Sequence, residues 1–110
     1  MKFEVHITRT AERDITRAAD YIEYVLYNQE AADYLLDEIE NVVSSLTEFP
    51  EKYQTIDDPL LKAWGVRSVK VGSYLMFYVV CADQERVLII RFLFSRRNWN
   101  SILKSGISFE

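Results

Sequence analysis

Apolar residues alternate with polar ones near the start of the chain and then recur with a helical period. Phe3, Val5 and Ile7 alternate with polar neighbours, which predicts a first strand with one apolar face. From Ala11 to Leu26 and again from Ala32 to Leu46, apolar residues return every three or four positions. This spacing predicts two amphipathic helices joined by a short turn, that is, an antiparallel helical hairpin.

Capping residues mark the boundaries of these helices. Thr8 or Thr10 can cap the first helix and Asn28 the second, because their side-chain oxygens accept backbone N–H groups at a helix start. Pro50 ends the second helix, since proline cannot continue it. The stretch from Pro50 to Gly65 is then a long connection without a recognisable motif.

The second half of the chain has the periodicity of strands. Val66 to Val71 alternates, and Gly72-Ser73 is a two-residue turn with glycine first, which is typical of a type II′ hairpin. Two apolar runs follow. Tyr74 to Val80 predicts a central strand covered on both sides, and Val87 to Phe94 predicts a last long strand. A short helix is expected over residues 98–103 and a flexible tail over residues 104–110.

The predicted order is strand, helix, helix and three strands, in a single domain over residues 1–110. We therefore expect an α+β fold of two layers, with the helical hairpin packed on one face of an antiparallel sheet. Two helices do not readily cover both faces of four strands. Part of the second face is expected to stay open and to carry the function.

Composition narrows the classes of protein further. With 110 residues, 49% of them apolar and 27% charged, the chain suits one globular domain. A single cysteine excludes an internal disulfide and a cysteine-rich zinc site, and no apolar run reaches the ~20 residues of a membrane span. No glycine-rich phosphate loop is present. We expect no cofactor, no metal and no membrane partner, and a cytoplasmic location, since the first residues resemble no targeting peptide.

Charge is distributed unevenly along the chain. Residues 1–58 carry a net charge of -9, whereas residues 59–110 carry +5, within a formal total of -4. Either the two halves neutralise each other in the fold, or the second half presents a basic surface to an acidic partner or a phosphate backbone.

Two groups of residues in the basic half are candidates for chemistry. Arg91 lies inside an apolar strand and needs either a carboxylate partner from the helices or an open face shared with Arg67. The turn after this strand holds Arg96, Arg97 and Trp99. These side chains suit a phosphate clamp with a stacked base, or an anchor for a protein partner. A plain solvated pair of arginines is the third interpretation.

Several short motifs occur in a set order between residues 3 and 99. They are Ala11-Glu12-Arg13-Asp14-Ile15, Asp20-Tyr21-Ile22, Leu46-Thr47-Glu48-Phe49-Pro50, Gly65-Val66-Arg67-Ser68-Val69-Lys70-Val71-Gly72-Ser73-Tyr74, Phe77-Tyr78-Val79 and Val87-Leu88-Ile89-Ile90-Arg91. With them the chain resembles the RelE/ParE superfamily of bacterial type II toxin–antitoxin toxins. The resemblance implies the β-α-α-β-β-β toxin fold and a growth inhibitor held inactive by a cognate antitoxin, which wraps the toxin with a helix or an added strand.

Two activities occur in that superfamily: RelE-like members cut messenger RNA on the ribosome, and ParE-like members poison DNA gyrase. Leu75, Leu93-Phe94 and Leu103 stand where various RelE-like members carry an arginine, a His-Tyr pair and a tyrosine. No residue for proton transfer is evident without them.

The resemblance therefore favours a ParE-like gyrase poison with no assigned catalytic residue. The target- or phosphate-binding residues that we predict are Arg67, Lys70, Arg91, Arg96, Arg97 and Trp99. Two alternatives stay open: a ribosome-dependent messenger RNA endoribonuclease, and a protein of the toxin fold that only binds its antitoxin.

Overall fold

Residues 2–110, which the computed structural model describes, form four strands and four α-helices. The elements are β1 (Glu4–Ile7), α1 (Arg9–Asp20), α2 (Gln29–Ser45), α3 (Pro59–Ala63), β2 (Arg67–Val71), β3 (Tyr74–Cys81), β4 (Arg86–Phe94) and α4 (Trp99–Lys104).

The strands form one sheet in the order β1-β4-β3-β2. Strands β2, β3 and β4 are antiparallel neighbours, whereas β1 lies parallel to β4 at the edge. Gly72 has a φ of +59° in the turn between β2 and β3, as the first position of a type II′ turn requires. The predicted α+β class and the order of the main elements are confirmed.

Helix α1 begins where Thr8 accepts the backbone N–H of Ala11 through its Oγ1. The same hydroxyl donates to the carbonyl of Ile89 at 2.9 Å, so the cap also attaches the helix to β4. Asn28 caps α2 by accepting the N–H of Ala31. Thr8, and not Thr10, is therefore the cap of the first helix, and Asn28 has its predicted role.

The connection between the two helices differs from the continuous helix that the periodicity predicts. Tyr21–Val25 forms a π-helical segment, closed by the bond from the Leu26 N–H to the Tyr21 carbonyl. Tyr27 then adopts a left-handed conformation with a φ of 51°, which costs a bulky residue ~1–2 kcal/mol.

The hairpin of α1 and α2 packs on one face of the sheet. Its buried contacts form a continuous core with alternate residues of all three antiparallel strands. The buried members are Ala11, Ala18, Leu35, Ile39, Leu46, Val69, Val71, Met76, Tyr78, Val87, Ile89 and Phe92.

The second face of the sheet is also covered over its central strands β3 and β4, where an open face was expected, and Lys70 on the edge strand β2 stays exposed. The core on this second face contains Ile56, Leu61, Val66, Phe77, Val79, Leu88, Ile90, Leu93 and Leu103. The covering residues come from the connection before β2, from α3 and from α4. The sequence interpretation assigned these apolar positions to a loop and a terminal segment too short to show a period.

Asp58 holds the two covering helices together. Its carboxylate caps α3 and also accepts from the Lys104 ammonium at 2.7 Å and from the Asn100 amide at 3.1 Å. The bond from Lys104, followed by those from Asn100 and the Leu61 N–H, holds the Asp58 pKa well below its ordinary value. Ile107, in the segment predicted as a tail, packs against the same core.

Candidate functional site

Arg91 is held by a carboxylate from the helices. Its Nε and Nη2 donate to the two oxygens of Asp14 on α1, at 2.7 and 3.0 Å. The Asp14 side chain is only 4% exposed and also accepts the N–H of Phe92. A register shift in the β3–β4 ladder at Phe77/Tyr78 accompanies this arrangement. Of the two interpretations of Arg91, pairing with the helices is confirmed.

Arg67 lies on the same side of the sheet and is held by backbone groups. Its Nη1 donates to the carbonyls of Tyr53 and Glu51, at 2.6 and 3.2 Å, and its Nη2 lies 3.6 Å from the Glu51 carboxylate. The guanidinium therefore attaches the segment after α2 to the start of β2. An open face shared by Arg67 and Arg91 does not exist.

Lys70 and Trp99 are separated from these arginines. Lys70 is exposed on the edge strand β2. Trp99 is half-buried at the start of α4, and its ring lies 5.3 Å from that of Phe77 in the second core. The indole therefore anchors α4 to the sheet. The six predicted residues do not form one patch.

Arg97 lines a hollow beside α1. Arg96 and Arg97 are both exposed after β4. The hollow, of about 350 Å³, lies between α1 and the ends of β3 and β4, and we call it the groove. It is lined by Asp14, Arg17, Ala18, Tyr21, Tyr74, Phe92, Leu93, Phe94 and Arg97.

The groove has a basic wall that the sequence interpretation missed. Arg9, Arg13 and Arg17 are exposed at intervals of four residues along α1, and we call them the α1 row. They line a second hollow of about 490 Å³ that shares Arg17 with the groove. The spacing itself was the available signal, because residues four apart lie on one face of a helix. Because residues 1–58 carry a net negative charge, the charge distribution alone does not indicate this basic row.

None of the three ion pairs within residues 2–110 involves the α1 row or Arg97. Like charges four residues apart destabilise a helix by ~0.2–0.5 kcal/mol per pair. The two Arg–Arg spacings therefore add no stability to α1, and the three guanidinium groups stay available for binding.

Aromatic rings form the apolar side of the groove. Tyr74 stacks on Phe92 with ring centres 5.0 Å apart and meets Phe94 edge to face at 5.7 Å. Burial, followed by the nearby Tyr21, raises the pKa of Tyr74, which therefore stays protonated at neutral pH. The groove combines fixed positive charge with flat apolar surface and is suited to binding an anionic partner.

A second exposed surface lies at the tip of the helical hairpin. We call it the hairpin tip: Tyr21, Tyr24, Val25, Leu26 and Tyr27 are all more than half exposed, and Tyr27 reaches 90%. Exposed apolar side chains grouped in this way are common at protein–protein contact sites. The strained backbone of Tyr27 supports the same interpretation, since strain collects at functional sites.

Residues 2–110 contain neither a membrane-spanning helix nor a cluster of metal-ligating side chains. No helix there is both long enough and apolar enough to cross a bilayer. Residues 2–110 bring together no group of three or more His, Cys, Asp or Glu side chains that could hold a metal ion.

Comparison with known proteins gives matches to toxin–antitoxin systems. The profile of the ParE toxin of the type II toxin–antitoxin system parDE matches residues 5–99. A chain of the chromosomal ParDE TA system from P. aeruginosa has a TM-score of 0.66 at 20% identity, covering 84% of this chain and 96% of its own length.

A chain of the toxin–antitoxin complex RelBE2 from Mycobacterium tuberculosis gives a TM-score of 0.59 at 20% identity, covering 86% of this chain and 92% of its own. Both structural likenesses concern the fold. A comparison with curated protein sequences gave no match.

Proposed function

The chain belongs to the family of ParE toxins of type II toxin–antitoxin systems, and we propose that it inhibits growth by binding DNA gyrase and is neutralised by a cognate antitoxin. The fold it shares with chains of a ParDE system and of a RelBE2 complex agrees with a toxin that acts in a protein complex.

The observation that carries a binding mechanism is the composition of the groove. Cutting RNA requires a base for the 2′-hydroxyl, an acid for the leaving oxygen and cations for the phosphate. The groove supplies cations through Arg17 and Arg97. Its carboxylate, on Asp14, is already occupied by Arg91, and the phenol of Tyr74, whose pKa is raised, is protonated at neutral pH and cannot serve as the base. Binding needs none of these proton transfers.

The same arginines and aromatic rings are also compatible with an RNA-cutting activity. Exposed guanidinium groups beside aromatic rings also suit messenger RNA, so a ribosome-dependent endoribonuclease is the second candidate. Its weakness is the missing general base. Arg96 and Arg97 serve both candidates as exposed cations, whereas Arg67, Arg91 and Trp99 support either site only by positioning the backbone.

For the antitoxin, we propose that it covers the hairpin tip. The tip offers exposed aromatic and aliphatic groups, which supply most of the binding energy at protein interfaces. Acidic residues flank it along the chain: Asp20 ends α1, Glu23 lies in the π-helical segment and Glu30 lies in the first turn of α2. An antitoxin segment that is apolar on one side and basic on its flanks fits this arrangement by charge.

The experiment that tests the gyrase proposal is tightly controlled expression of the chain in bacteria. Double-strand breaks and plasmid supercoiling are measured beside primer-extension maps of messenger RNA. We expect broken or relaxed DNA with intact transcripts. Codon-phased cuts in messengers with normal supercoiling contradict the proposal and favour the endoribonuclease. Normal growth at a confirmed level of soluble protein contradicts both and leaves a chain that only binds its antitoxin.

A further inference from the structure

The α1 row continues into the groove and forms one basic track. Successive arginines of the row rise by about 6 Å along the helix axis, as residues four apart do. Arg17 ends the row and lines the groove together with Arg97. Within the two hollows these four cations face one exposed carboxylate, that of Glu12, because Asp14 is buried against Arg91.

An aromatic platform lies at the end of this track. Tyr21 is 51% exposed and Phe94 is 39% exposed, and both line the groove beside Arg97. Proteins that bind single-stranded nucleic acid combine these two features, a basic path for the backbone and rings on which bases stack. Guanidinium groups add to the platform because they also stack on bases.

We infer that the α1 row and the groove bind a single strand of DNA, with phosphates along Arg9, Arg13 and Arg17 and a base against Tyr21 and Phe94. The choice of DNA over RNA rests on the proposed gyrase target, which works on DNA. Duplex DNA fits the track less well, since its stacked bases cannot reach the rings. An acidic peptide would contact the arginines but would have no bases to stack on Tyr21 and Phe94.

Binding is measured by fluorescence anisotropy with the purified full chain and two labelled probes, an oligodeoxyuridylate and an oligouridylate of equal length, which differ only in the 2′-hydroxyl. We expect saturable binding of the deoxy probe. The logarithm of the affinity is expected to fall with the logarithm of salt with a slope of about -3 if all four arginines contact phosphates.

Two charge-matched variants locate the site. Arg13→Gln with Arg17→Gln removes two positive charges from the track, and Lys2→Gln with Lys62→Gln removes two exposed charges elsewhere. We expect the first pair to weaken binding about tenfold and to reduce the salt slope by roughly 1.4, and the second to change affinity less than about twofold. Tyr21→Ala is expected to weaken binding without changing the slope, since a ring contributes no counterion release.

Several results overturn the inference. They are no salt-dependent binding by the wild type, equal losses in both double variants, or displacement of the probe by a polyglutamate of matched charge at equal concentration. Tighter binding of the ribo probe rejects DNA and agrees with the endoribonuclease. Circular dichroism confirms that each variant is folded.

The failure of this inference and the failure of the proposed function can be told apart. A chain that binds the deoxy probe but leaves gyrase unaffected contradicts the proposed function alone. A gyrase poison that binds no single strand of DNA contradicts this inference alone.

Discussion

The guanidinium of Arg91 meets the carboxylate of Asp14 through two hydrogen bonds, of 2.7 and 3.0 Å, across the interface between α1 and β4. The same carboxylate accepts the backbone N–H of Phe92 at 3.0 Å. One buried side chain thus attaches the first helix to the strand that forms one wall of the groove. The position of the α1 row relative to Arg97 depends on this contact.

Replacing Asp14 by Asn is expected to destabilise the fold by about 3 kcal/mol, because the Arg91 charge then lacks its partner in a largely buried site. Urea unfolding at neutral pH measures the change. The double variant Asp14→Leu, Arg91→Met is expected to be more stable than Asp14→Asn, since it leaves no unpaired charge. If Asp14→Asn unfolds at the urea midpoint of the wild type, the ion pair contributes nothing and this account of α1 docking is wrong.

Tyr78 makes alkaline stability dependent on pH. Its hydroxyl donates to the Pro50 carbonyl at 2.6 Å, and burial raises its pKa to about 12. The unfolded chain releases the phenolic proton near the ordinary value of 10.0, while the folded chain keeps it, so this residue lowers stability as the pH rises between those values. Tyr78→Phe is expected to lose ~1 kcal/mol at neutral pH with the missing hydrogen bond.

Thermal melts of the wild type and of Tyr78→Phe, from neutral pH to pH 12, test the raised pKa of Tyr78. The deficit of Tyr78→Phe should shrink above pH 10, because only the wild type then loses the stability contributed by Tyr78. Because all other tyrosines are shared, their titration cancels in the comparison. A deficit that stays constant over this range contradicts the raised pKa.

The carboxylate of Asp58, which binds Lys104 and Asn100 and is called the clamp, makes the stability of the fold depend on pH in the acid range, with a sign opposite to that of Tyr78. Because the bond from Lys104 lowers the Asp58 pKa in the folded chain, the clamp stabilises the fold above the ordinary value of 3.8 and loses its effect as the pH falls below it. Asp58→Asn retains the helix cap and removes the charge. We expect a lower melting temperature for this variant at neutral pH and a difference that disappears in acid. A difference that grows in acid contradicts the clamp.

Sequence reasoning identified the long, strongly periodic elements and failed where contacts decide the structure. The hairpin, the turn at Gly72 and the Asn28 cap follow from local rules that need no knowledge of the fold. The cover on the second face does not, because Leu61 and Leu103 belong to helices of five and six residues, too short to show a period. Apolar packing against the sheet stabilises such short helices.

The candidate site was only partly predictable for a related reason. Arg91 was recognised as a charge that needs a partner, but Asp14 lies 77 positions away and no local pattern connects them. Arg97 was found as part of an exposed basic turn. The α1 row was visible as a regular spacing, yet its meaning depends on the fold, which places Arg17 and Arg97 beside one groove.

At the hairpin tip, we expect one substitution to raise the stability of the fold and to weaken the binding of the antitoxin. Tyr27 has a φ of 51° and is 90% exposed, so Tyr27→Asn should relieve strain, because asparagine tolerates this conformation better. We expect an equal or higher melting temperature and weaker binding to the cognate antitoxin, measured by calorimetry with the protein encoded beside the toxin gene. Tyr34→Ser, at a similarly exposed position on α2, is the control. Unchanged affinity in Tyr27→Asn places the antitoxin elsewhere.

Growth arrest by groove variants tests the central claim, that the toxin acts through the groove, most directly. Arg17→Gln with Arg97→Gln is induced beside the wild type and beside Lys2→Gln with Lys62→Gln, which carries the same net charge. With soluble levels matched by immunoblot, we expect the groove variant to grow at the uninduced rate and the control to arrest like the wild type. Arrest by the groove variant equal to that of the wild type contradicts the account.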